Sequence, residues 1–130
     1  MQSGSGGFGI AANAYARTAR SALTPREAES ALLLKAAQRL ISAEHALASG
    51  EVRSLNEALS FNQRIWTLLS SEATADENPL PADVKQGVAR LGVFVLRSCV
   101  DTMIEPTSEK IATLVSINNQ LAAGLQGNPG

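Results

Sequence analysis

Apolar residues recur every three or four positions along most of this chain, the spacing that gathers side chains on one face of an α-helix. From Ser54 to Glu72 the stripe is Leu55, Leu59, Asn62, Trp66 and Leu69. Near the C-terminus it is Ile111, Leu114, Val115, Asn118, Ala122 and Leu125. Each stripe therefore carries an asparagine at its centre, where hydrocarbon is the norm.

Caps and breakers divide the pattern into about five helices. A first, short one is predicted from about Ile10 to Ala22, with Ala12, Tyr15, Ala16, Ala19 and Leu23 on one side and Asn13, Arg17 and Arg20 on another. Thr24-Pro25-Arg26-Glu27 starts the second: threonine as N-cap, proline where its missing N–H costs nothing, and glutamate three residues after the cap. Its stripe is Leu32, Ala36, Leu40, Ala43 and Leu47, and it runs to about Ser49, where Gly50 suits a left-handed C-terminal cap. Ser54-Leu55-Asn56-Glu57 reads as a capping box for the third helix, which should pair with the second as an antiparallel hairpin.

Residues 72–80 lose the period, and Asn78-Pro79 marks a connecting loop, because proline pushes the residue before it out of the helical region. Pro81 and Asp83 suit the start of a fourth helix, which runs to about Ile104 and is broken by Glu105-Pro106. A fifth follows from about Ser108 to Ala123 and is expected to end at Gly124. No internal repeat or sustained heptad appears. The expected architecture is all-α: a small, single-domain helical bundle whose last three helices form the main body.

The fourth helix has more apolar residues than one packed face requires. Val84, Val88, Leu91 and Val95 form its central stripe, Val93, Leu96 and Val100 lie around the side, and Gln86, Arg90, Arg97 and Asp101 leave only a narrow polar strip. Such a helix either sits at the centre of a bundle or shows a hydrophobic docking surface. Val93, Leu96 and Val100 are accordingly the candidate lining of a partner groove.

Composition supports this reading and narrows function. The 130 residues are 45% hydrophobic but only 4% aromatic, which suits helix packing in one domain. The formal net charge is -1 and the basic residues are scattered, so a direct nucleic-acid footprint is not expected. No apolar run approaches the ~20 residues that span a bilayer, and the N-terminus lacks signal-peptide character. With Cys99 as the one cysteine, a cytoplasmic protein is expected. The Ser- and Gly-rich residues 1–9 read as a flexible tail, as do residues 127–130.

The candidate chemistry is thin. Gly4-Ser-Gly6-Gly-Phe-Gly9 matches GxGxxG without the preceding strand that would give it meaning. His45 and Cys99, each single in the chain, lack the companions that a metal site or a nucleophile needs; His45 reads as a helix-end charge and Cys99 as a small core residue. The pairs Asp76/Glu77 and Glu27/Glu29 read as solvated carboxylates. No enzyme, metal or cofactor is expected. Asn62 and Asn118 read as clamps on the Asn78-Pro79 loop and nearby helix ends, or as partner contacts, because a buried amide must find hydrogen bonds. Trp66 reads as core before interface.

An ordered set of short motifs adds a family. Tyr15, Asn62-Gln-Arg-Ile65-Trp66, Asn78-Pro79-Leu80-Pro81, Gly92 to Val95, Ile117-Asn118 and Gly124-Leu125 together resemble the FlaF family of flagellar proteins from the alpha-proteobacteria. The chain has Arg90-Leu91-Gly92 where that family shows Ser-Ile-Gly. The resemblance implies a FlaF-like helical domain over residues 10–126 and marks Tyr15, Asn62, Trp66, Asn78, Leu80, Pro81, Gly92, Asn118 and Gly124 as structural or partner-binding positions. It also implies a regulator and export chaperone that binds flagellin, acting with the regulator FlbT. The alternatives are an adaptor working mainly through FlbT, and a structural homo-oligomer.

Overall fold

The computed structural model describes residues 25–127, and among these the chain forms four α-helices and no strand. They are α1 (Pro25–Leu47), α2 (Arg53–Ala73), α3 (Ala82–Ile104) and α4 (Ser108–Leu125). The all-α class holds. The helix expected at 10–22, with Tyr15 on it, and the Thr24 cap lie outside the described residues.

Most helix ends fall where the local chemistry puts them. Pro25 opens α1. Gly50 takes a φ of 89° and closes α1 with a Schellman pair of bonds, from its own N–H to Leu47 O (2.8 Å) and from Glu51 N–H to Ala46 O (3.2 Å). Pro81 precedes α3, and Thr107 caps α4 by accepting a bond from Lys110 N–H.

Two boundaries differ from the sequence reading. The Ser54 capping box does not form: α2 starts at Arg53, Val52 is its cap residue, and the Ser54 hydroxyl donates instead to Glu51 Oε1 at 2.7 Å. Nor does Gly124 end the last helix. It lies inside α4, and the left-handed glycine is Gly127, with φ 72°. A glycine within a helix costs only about 1 kcal/mol, which the packing of Ala122 and Leu125 on either side outweighs.

The four helices stand at the corners of a bundle. α1 packs against both α2 and α4, α3 packs mainly against α2, and the contact between α3 and α4 is slight. α1 and α3 are thus diagonal, as are α2 and α4. The core holds Leu33, Ala36 and Leu40 of α1, Leu55, Leu59 and Trp66 of α2, Val95 and Cys99 of α3, and Ile111 and Leu114 of α4. On α1 the deepest leucine is Leu33; Leu32, expected on the stripe from sequence, is half-buried. On α3 the buried line is Gly92, Val95, Cys99 and Thr102, and Val84 is exposed.

Candidate functional site

Asn62 and Asn118 meet in the middle of the bundle, both fully buried. Asn118 Nδ2 donates to Asn62 Oδ1 at 2.7 Å and to the Leu33 carbonyl at 3.2 Å, while its Oδ1 accepts from Trp66 Nε1 at 2.9 Å. Asn62 Nδ2 in turn donates to the thiol sulfur of Cys99 at 3.5 Å. One chain of polar contacts therefore joins α4, α1, α2 and α3. A second bond, from the Ser30 hydroxyl to the Ala122 carbonyl at 3.0 Å, ties α1 to α4 again.

This corrects the loop-clamp reading. Neither asparagine reaches the Asn78-Pro79 loop, because both sit near the middle of their helices and the neighbouring helices supply the partners. The loop is held by Asn78 itself, whose Nδ2 donates to Glu72 O and whose Oδ1 accepts from Leu80 N–H. Leu80 is half-buried and Pro81 exposed beside it. Lys85 adds a bond from its ammonium to Ala75 O at 2.7 Å. Trp66 is a core residue, as expected, and its indole N–H is satisfied inside the network.

Burial raises the pKa of the Cys99 thiol, a shift that the Asn62 amide opposes in part by donating to the sulfur. The thiol stays protonated and serves as a soft acceptor. His45 is exposed in the last turn of α1, where its charged form would complement the helix end. Among the described residues no group of three or more His, Cys, Asp and Glu is arranged to hold a metal. No described helix is long and apolar enough to cross a membrane.

Gly92 shows why α3 can approach α2 so closely. A Cβ at that position would collide with the Ser70 hydroxyl. Gly124, by contrast, has open space around it. Small residues thus set the α2–α3 contact, and the larger apolar side chains of α3 are left outside it.

Some of those outside residues form an exposed apolar row along α3. Val93, Val100 and Ile104 are 49%, 47% and 78% exposed, and Leu96 is half-buried between them and the core. Beside them lies a shallow open groove lined by Gln63 and Thr67 of α2 and by Leu96, Arg97, Val100 and Ile104 of α3. Val93 stands outside that lining on the same helix. Ile104 escapes the sequence reading because it is the last helical residue before the Glu105-Pro106 break; its position four residues after Val100 is the available signal.

Other large apolar side chains, among them Phe94, Leu68, Val84 and Leu34, are exposed elsewhere on the bundle. Phe61, half-buried on α2, has the Arg39 guanidinium 4.2 Å from its ring centre, with Lys35 and Arg64 about the same ring. At the α3–α4 turn the Lys110 ammonium bridges Asp101 (3.0 Å) and Glu105 (3.2 Å), and the hydrogen bond to Asp101 is the main cause of its raised pKa. At the opposite end Glu29 of α1 is pushed up to about 7, first by burial and then by sharing a proton with Glu72 of α2.

The geometry is thus a closed polar core that joins four helices, with one helix that leaves apolar residues exposed. A family model described as flagellar protein FlaF matches residues 11–125. No curated protein and no solved structure matches the chain.

Proposed function

Because the chain belongs to the FlaF family of flagellar proteins, we propose that it binds flagellin in the cytoplasm and assists its production and export during flagellum assembly. The observation that carries this reading is the outward row Val93, Val100 and Ile104 beside the α2–α3 groove. An apolar row on one helix next to a shallow groove suits an amphipathic helix laid alongside it, with anchors at helical spacing. The flanking Arg97 and Asp101 supply charges of both signs to set its direction.

Binding of this kind needs no nucleotide, metal or covalent step. A chaperone of this type covers the apolar side of a segment that would otherwise aggregate, then releases it. The four-helix polar network keeps the platform fixed, so the ordering entropy of association falls mainly on the guest.

Co-purification separates this from an adaptor acting through FlbT. The full chain, used in turn with flagellin and with FlbT as purified baits, is expected to retain flagellin when FlbT is absent. Retention of flagellin only when FlbT is present would overturn direct binding. Capture of neither bait, with a solution mass of a fixed multimer, would favour a structural homo-oligomer.

A further inference from the structure

Folding gathers basic residues that the sequence scatters. Lys35 and Arg39 stand one turn apart on α1, and the packing of α1 on α2 brings them to Phe61 and Arg64. The Arg39 guanidinium lies 4.2 Å from the centre of the Phe61 ring, the Arg64 guanidinium 5.9 Å and the Lys35 ammonium 6.0 Å. All three cations are exposed, and among the described residues none of their side chains forms a salt bridge or a hydrogen bond. Two adjoining hollows open along this α1–α2 seam. One is lined by Lys35, Arg39 and Glu57 together with Gln38, Ser42 and Ser54, the other by Arg39, Glu57 and Arg64 together with Asn56 and Ser60. Neither contains a residue of the α2–α3 groove.

We propose that this seam binds an acidic peptide segment of a partner protein, with one carboxylate on Arg39 and others on Lys35 and Arg64. A guanidinium carries its N–H donors in one plane, and one that rests on an aromatic ring keeps an edge free for a two-bond fork with a carboxylate. Phe61 is the rest that holds Arg39 in place before a partner arrives, which lowers the ordering cost of binding. An isolated exposed ion pair contributes little. Here one segment would meet three cations gathered about a single ring.

The lining favours carboxylates over a nucleic-acid backbone. Glu57 belongs to both hollows, so the continuous positive track that a phosphate chain follows is interrupted. The aromatic ring at the seam is already engaged by Arg39 and packed against the core, which leaves no stacking platform for a base. Gln38, Ser42 and Asn56 add hydrogen-bonding groups that suit peptide amides. The seam shares no residue with the groove proposed for flagellin, and it stands whether or not flagellin is the guest there.

The test titrates the full chain into fluorescein-labelled decaglutamate at low salt and follows fluorescence anisotropy. Saturable binding is expected, and it should weaken as salt rises. Arg39→Gln should weaken it about tenfold, as loss of a charge-assisted fork does, and Phe61→Leu about threefold, through loss of the ring that holds Arg39. Arg90→Gln, which removes an exposed charge on α3, should leave binding unchanged. Glu57→Gln should tighten binding about threefold by removing the carboxylate that both hollows share, a gain that a misfolded variant cannot give. The proposal is overturned by the absence of saturable binding, by equal losses with Arg39→Gln and Arg90→Gln, or by no gain with Glu57→Gln. Tighter binding of labelled decauridylate than of decaglutamate would also overturn it and assign the seam to a nucleic acid.

Discussion

α2 and α3 are near equals in length, 21 and 23 residues, yet they spend their apolar side chains differently. α2 buries Leu55, Ala58, Leu59, Asn62, Ile65, Trp66 and Leu69, whereas α3 buries only Gly92, Val95, Cys99 and Thr102. The buried residues of α3 are small, and its larger ones remain half-buried or outside. How many apolar residues a helix carries therefore says little about which helix holds a bundle together. What decides it is where the bulk lies: in α2 it faces inward and fixes the fold, in α3 it faces outward and is available to a partner.

The largest expected effect comes from the inward side. Asn118→Leu leaves Trp66 Nε1–H and Asn62 Oδ1 without their partner in the core. At about 1–3 kcal/mol for each of these two orphaned groups, the loss of stability should reach about 2–6 kcal/mol in denaturant unfolding. A loss below about 1 kcal/mol would mean that the network contributes little and that the contrast between the two helices is overstated.

A smaller effect tests the contact between them. Gly92→Ala introduces a methyl against the Ser70 hydroxyl and should cost about 1–2 kcal/mol, as overpacking does. The Ser70 oxygen is buried without a hydrogen-bond partner, so Ser70→Ala should itself be neutral or slightly stabilising. In that background Gly92→Ala should cost clearly less, and a double-mutant cycle showing no coupling would remove the close approach as the reason for the glycine.

Smaller again is the pH response at the end of the bundle. Burial and the proton shared with Glu72 raise the Glu29 carboxyl from 4.5 to about 7 in the folded state, so the native protein binds this proton more tightly than the unfolded chain does. Stability from this group is present at low pH and falls as pH rises from about 4.5 through about 7. Glu29→Gln should flatten that decline and stabilise the protein at pH 8 relative to wild type, with little difference near pH 4. Thermal unfolding across this range checks it; an unchanged slope would place the pH dependence elsewhere.

The contrast between α2 and α3 is half legible in the sequence. Periodicity places Asn62 and Trp66 on one face of α2 and Asn118 on one face of α4, because the phase of a helix is a local property. Which helices stand across the core from one another is not local, and for that reason the sequence points the asparagines at a loop when in the bundle they bond each other and Trp66. The run Leu32-Leu33-Leu34 fits several phases, so its deepest member emerges only from packing. Gly124 and the Ser54 box carry correct local signals that neighbouring contacts override. The apolar excess of α3 is readable as a count around the helix, and packing decides that Val93 and Val100 lie outside.

The central claim is that this outward row serves a partner and not the fold. Its most direct test is flagellin capture by the full chain carrying Val93→Ser and Val100→Ser, read alongside denaturant unfolding of the same protein. Both side chains are about half exposed, so stability should change by no more than about 0.5 kcal/mol for each. Capture should weaken about tenfold or more, as when central apolar anchors are removed from an interface. Capture at wild-type strength by a stably folded double variant would contradict the account.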